Sequence, residues 1–150
     1  MVRQFWERMG SNDFYSASEL LTADFVLEWP QSQERLRGPE RFARLNQEYP
    51  AHGPWVFTVH RLVASGDQVV TDVGVSDGVQ VARAISFFTV RADGICHLLE
   101  FWPESYGAPA NRAHLVERLD LGAALAGDAV PEAEEGSHPA WLIPEEEPPP

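Results

Sequence analysis

Apolar side chains recur at helical spacing in the first third of the chain and at alternate positions through much of the rest. Val2, Phe5, Trp6 and Met9 fall at i, i+3, i+4 and i+7, which predicts a short amphipathic helix ended by Gly10. Ser11-Asn12-Asp13 then offers side-chain oxygens to the orphan N–H groups of a second helix, with Phe14, Ala17, Leu20 and Leu21 as its apolar stripe. From Asp24 to Trp29 the period drops to two. Phe25, Leu27 and Trp29 share one face of a strand, which Pro30 closes because it has no N–H to give a sheet. Gly38-Pro39 opens a third helix whose buried side is Phe42, Leu45 and Tyr49, before Pro50.

From Trp55 onward, four alternating runs at about 55–64, 68–76, 80–91 and 95–103 are separated by Ser65-Gly66-Asp67, Asp77-Gly78 and Ala92-Asp93-Gly94. They predict an antiparallel meander. Pro109 starts a last amphipathic helix carrying Ala113, Val116 and Leu119. The order ααβαββββα, with helices gathered ahead of long hairpin strands, places the chain in the α+β class, with a curved, mostly antiparallel sheet wrapped around the N-terminal helices.

Composition divides the chain and removes whole classes of chemistry. Its 150 residues, 44% hydrophobic, suffice for one domain with a real core. Seven of the 23 acidic residues, six of the 12 prolines and none of the 11 arginines lie in 121–150, so residues 1–120 are expected to form the domain and 121–150 an acidic, proline-rich tail. Trp141-Leu142-Ile143 is an apolar island in that tail that either docks on the domain or on a partner, or stays solvated. There is no lysine, which removes Schiff-base chemistry and the lysine phosphate clamp. A net charge of −12 argues against nucleic acid and anionic membrane surfaces as partners. Cys96 is the single cysteine, Arg3, Glu7 and Arg8 interrupt any signal-peptide pattern, and a cytoplasmic location is expected. No two histidines stand at i, i+2 or i, i+4, and neither a metal nor another cofactor is expected.

Several segments, taken in order, resemble one family. These are Phe5-Trp6 followed by Gly10-Ser11-Asn12-Asp13, the run from Leu20 to Pro30, and Asp93-Gly94-Ile95 leading to Glu100-Phe101-Trp102-Pro103. Over about residues 1–120 the chain resembles the SnoaL-like branch of the nuclear transport factor 2-like superfamily, whose fold encloses a conical pocket. That superfamily holds ketosteroid isomerases, polyketide cyclases, dehydratases, epoxide hydrolases and non-catalytic binding domains. At the isomerases' tyrosine, acid and base positions this chain carries Phe5, Ser86 and Trp29. Neither Phe5 nor Trp29 can take over the role, so the usual steroid isomerisation is not expected. The cyclases' final-strand pattern of an acid followed by His-Trp-Asp is met only by Glu100 and Trp102. The resemblance also implies a homodimer formed through the sheet.

If Trp102 faces the pocket as its counterpart does, the strand period turns Glu100 and Leu98 the same way, toward Phe5 and Trp29. Apolar walls raise a carboxyl pKa toward that of a working general acid or base. The structural alternative is that Glu100 pairs with Arg37, Arg83 or Arg112. His60 is the second catalytic candidate, although both faces of its strand are apolar and its direction is open. His97 has the opposite parity to Glu100, and Glu28 points away from Trp29. Cys96 reads as core. Trp55 joins Trp6, Trp29 and Trp102 in an aromatic excess that suits a flat ligand. Two functions stay open: a cofactor-independent isomerase, cyclase or dehydratase acting on a small apolar or aromatic molecule, with Glu100 and His60 as acid and base, or a non-catalytic module that binds such a molecule or a partner. The expected ligand contacts are Phe5, Trp29, Trp55, Ser86, Leu98 and Trp102.

Overall fold

A computed structural model describes residues 1–119. Two short helices, α1 (Val2–Gly10) and α2 (Phe14–Ser18), precede β1 (Leu21–Trp29) and β2 (Glu34–Arg37). Helix α3 (Pro39–Glu48) follows, then β3 (Val56–Ser65), β4 (Gln68–Ser76), β5 (Val81–Arg91), β6 (Gly94–Phe101) and a 3-10 turn at Ala110–Leu115. All six strands join one sheet in the order β2-β1-β6-β5-β4-β3. The meander from β3 to β6 is antiparallel throughout, while β1 runs parallel to β6 with Leu27 opposite Leu98.

The local chemistry follows the sequence closely in the helices. Helix α1 buries Val2, Phe5, Trp6 and Met9, and Asp13 caps α2 by accepting from the Ser16 N–H at 3.2 Å. Leu20 and Leu21 fall beyond the five-residue α2, and Leu21 instead begins β1. The hairpin from β1 to β2 departs from expectation: Glu34-Arg35-Leu36-Arg37 has too little apolar content to signal a strand, yet it pairs with Val26–Trp29 as a short, charged edge. The expected last helix is a 3-10 turn with no buried residue; Val116 and Leu119 are exposed, so no packed surface holds an α-helix there. Residues 121–150, with Trp141-Leu142-Ile143, lie outside the described residues.

The helices pack against one face of the sheet. Phe5 is the centre of that core, in edge or tilted contact with Trp6, Phe42 and Phe88 at centroid distances of 5.1, 5.7 and 5.5 Å. Phe25, Leu27, Val73, Ala84, Phe88, Ile95 and Leu98 bury the inner sheet face almost completely. Trp6 ties the helix to the sheet by donating its indole N–H to the buried Thr71 hydroxyl at 3.1 Å. Gly94 is a backbone requirement: at φ +145° its Cα lies so near Leu20 that an added Cβ would come within 2.6 Å of the Leu20 carbonyl oxygen. That carbonyl also accepts the Ile95 N–H at 2.9 Å, which fixes the start of β6 against β1. None of the described helices is long and apolar enough to cross a membrane.

Candidate functional site

Between the helices and the inner sheet face lies a cavity of about 1110 Å³. Parity explains its deep wall. The register of β1 on β6 places Trp29 beside Glu100, and Leu98, Glu100 and Trp102 follow at alternate positions toward the end of β6. Phe5, Trp6 and Met9 enter from α1, and Phe42, Leu45, Asn46 and Tyr49 from α3. Trp55 and Phe57 close the side next to β4. The mouth is formed by Gln31, Ser32 and Glu34 from the β1–β2 connection and by residues 103–106.

Glu100 is 6% exposed and all its partners are uncharged. Ser86, on the neighbouring strand β5 and directly opposite in register, donates its hydroxyl to one carboxyl oxygen at 2.7 Å. The Trp29 indole donates to the other at 3.1 Å, and the Trp102 side chain donates as well. Burial pushes the Glu100 carboxyl above its ordinary value, against the opposing pull of these three donors. The arginine pairing weighed for Glu100 is not formed. Arg83 lies on the outer face, bound to Asp72, and neither Arg37 nor Arg112 reaches Glu100.

Phe5, Trp29, Trp55, Leu98, Glu100 and Trp102 all line this one cavity. Ser86 does not. It is fully buried behind Glu100, where it orients the carboxyl rather than meeting a ligand. His60, offered as the second catalytic group with its direction open, does not join Glu100: a bulge between Val59 and Arg61 breaks the strand period at this residue. Its ring lies over Gly74, where an added Cβ would be 2.9 Å from Nε2, on the outer face with Asp72 and away from Glu100. Glu28 also belongs to the outer face, held by His97 Nε2 at 2.7 Å and Arg35 at 3.0 Å, and its carboxyl is lowered first by the His97 hydrogen bond and then by Arg35.

Two further features of the cavity escape sequence reasoning. Burial pushes the Tyr49 phenol up to about 12, so it keeps its proton across the working range. The Trp55 indole N–H, on a side chain 92% buried, has no hydrogen-bond partner among the described residues, whereas Asn12 holds the Trp55 backbone through two bonds of 2.7 and 2.8 Å. A buried donor left open in a cavity wall is available to an acceptor that enters. Among the described residues no group of three or more His, Cys, Asp or Glu is placed to hold a metal.

Residues 2–98 match the model of the SnoaL-like domain. The chain belongs to that family. A solved structure of a candidate ketosteroid isomerase from Kribbella flavida is 34% identical with a TM-score of 0.72, over 79% of this chain and 86% of that one. An NTF2-like protein of unknown function from Burkholderia xenovorans shares 22% identity at a TM-score of 0.64, over 79% of this chain and 91% of its own. An LEH-like epoxide hydrolase of M. tuberculosis shares 23% identity at a TM-score of 0.56, over 68% of this chain and 79% of its own. The last two show the common fold alone. No curated protein matches the chain. The SnoaL-like α+β fold expected from the residues is therefore shown, including its mostly antiparallel curved sheet.

Proposed function

We propose that this SnoaL-like protein is a cofactor-independent acid–base enzyme of the isomerase, cyclase or dehydratase kind, acting on a small apolar or aromatic molecule with Glu100 as the proton-transfer group. One observation carries the reading: an ionisable carboxyl faces an aromatic cavity with three uncharged donors and no cationic partner. A carboxyl kept for structure is ordinarily neutralised by a cation, whereas one raised by burial and still facing open space is suited to take and return a proton. Ser86 and Trp29 hold it in one rotamer, so little reorganisation accompanies transfer. His60 has no part in this chemistry, because it stands on the other side of the sheet.

A binding module without turnover is the second reading. It is favoured by Phe5 and Trp29, which leave the cavity without the tyrosine and the second carboxylate that the isomerase resemblance would supply. A nitrobenzisoxazole separates the two. This flat aromatic probe opens when a base removes its ring C–H proton; the N–O bond breaks and a coloured cyanophenolate forms, with no cofactor. The enzyme reading expects faster opening than an equal concentration of acetate gives, and loss of that rate in Glu100→Gln. Binding of the probe without acceleration, or acceleration kept in Glu100→Gln, overturns it.

The outer sheet face supports a homodimer. Phe87 and Phe101 form an edge-to-face pair at 6.1 Å there, Phe87 is 39% exposed, and Val56 and Val63 are exposed by more than half. These exposed apolar side chains, set among the charged pairs of the same face, form a patch that a second copy of the sheet would cover.

A further inference from the structure

The charge at the cavity mouth points to the class of ligand. Every charged side chain lining the cavity is acidic: Glu34, Glu100 and Glu104. Glu34 is exposed and Glu104 half-buried, which places both at the opening, whereas Glu100 lies at depth. One side chain brings the two outer carboxylates to the same rim. Gln31 accepts the Trp102 N–H at 2.6 Å and donates to the Trp102 carbonyl at 3.0 Å, so it clamps the segment carrying Glu104 to the connection that carries Glu34. No ion pair of Glu34 or Glu104 is formed among the described residues. The nearest arginine in sequence, Arg35, is turned to the outer face and bound to Glu28.

Two kinds of neighbouring group also favour a cation. The Asn46 amide nitrogen is committed to the Phe42 carbonyl at 2.9 Å, which leaves its oxygen as the group turned to other partners. Trp55 and Tyr49, in edge contact at 6.0 Å, offer aromatic faces beside Asn46. Carboxylates, an amide oxygen and aromatic faces all attract a cation, and each of them repels a carboxylate or phosphate. A cation attracted to this cavity is directed to the rim, because the Glu100 oxygens already accept from Ser86, Trp29 and Trp102.

We infer that the ligand is an amine: an apolar or aromatic body among the rings, with an ammonium group held at the mouth by Glu34 and Glu104. This rests on the reading of the cavity as a ligand site, and extends it by naming the charge of the group held at the mouth. Three probes that share one phenyl ring and one four-carbon chain separate the two claims. Phenylbutylamine, phenylbutanol and phenylbutanoate are titrated into the full chain at neutral pH and followed by calorimetry. The inference expects the amine to bind about tenfold tighter than the alcohol and the acid to bind most weakly. The double variant Glu34→Gln, Glu104→Gln is expected to bring the amine to the affinity of the alcohol while leaving the alcohol unchanged. Salt is expected to narrow the gap in the wild type, because the rim is open to solvent. An alcohol that binds as well as the amine, or an acid that binds best, overturns the amine assignment and leaves the cavity reading standing. Failure of all three probes to bind overturns both.

Discussion

Replacing Glu100 with glutamine tests the chemistry of the site through stability, without knowledge of the substrate. The two side chains have the same shape, and glutamine keeps the hydrogen-bond pattern. Its carbonyl oxygen accepts from Trp29 and Trp102, while its amide donates to the Ser86 hydroxyl that now donates to the acid. In acid, where the wild-type carboxyl is neutral, the two proteins are therefore expected to agree within about 1 kcal/mol. As pH rises they part. The carboxyl ionises at its ordinary value of 4.5 when the chain is unfolded, and at a raised value when it is buried. Between those values the folded state binds more protons than the unfolded one, so wild-type stability falls as pH rises and levels off above the folded value. Each tenfold displacement of the buried equilibrium is worth about 1.4 kcal/mol, and Glu100→Gln has no such dependence. Urea unfolding followed by tryptophan fluorescence, from about pH 5 to about pH 8, is expected to show the variant gaining on the wild type and passing it. Parallel curves, or a variant weaker by more than about 2 kcal/mol at neutral pH, would refute the assignment of a raised, uncompensated carboxyl.

Three other outcomes are expected elsewhere in the fold. Gly94→Ala should cost about 1–3 kcal/mol in thermal or urea unfolding, because both its φ and the Leu20 carbonyl oppose a Cβ; an unchanged Tm would show that the close approach of β1 and β6 relaxes freely. Asp77→Asn should cost about 1–3 kcal/mol at neutral pH, since burial alone would raise this carboxyl but donations from the His52, Val79 and Gln80 backbones and the Gln80 amide hold it well below the usual aspartate range. That stability is fully present above the unfolded value and is lost progressively as pH falls from there through the lower folded one, so the gap between the proteins should begin to narrow below the unfolded value and close in strong acid. Phe87→Glu should convert a dimer to a monomer in sedimentation velocity while leaving the circular dichroism unchanged; an unaltered sedimentation coefficient would remove the outer face as the interface.

Local periodicity explains why so much of the architecture was legible. Strands β3 to β6 lie within a residue or two of the alternating runs, because each is bounded by a glycine or aspartate turn and each buries one face. The direction of Glu100 followed from the same period once the family resemblance turned Trp102 to the cavity. Its partners were less so: the Trp29 contact spans 71 residues and depends on the parallel pairing of β1 with β6, for which the sequence holds no local signal. Ser86 came to notice only through the family resemblance, and its role proved to be support for the carboxyl. The direction of His60 was open in the sequence, because both faces of its strand carry apolar residues and the bulge at this residue interrupts the period. Strand β2 and the rim residues Glu34 and Glu104 lie in polar segments without periodicity, so nothing marked them in advance.

The parallel pairing of β1 with β6 has a consequence for the order of assembly. The meander from β3 to β6 can zip through short turns, whereas β1 must wait for a closure that spans most of the described chain and carries a larger entropic cost. Until that closure the Glu100 carboxyl has its Ser86 donor but not Trp29, and one side of it remains hydrated. A chain that folds in this order has the meander before Glu100 meets Trp29, so burial of the carboxyl on refolding should lag behind recovery of β-structure.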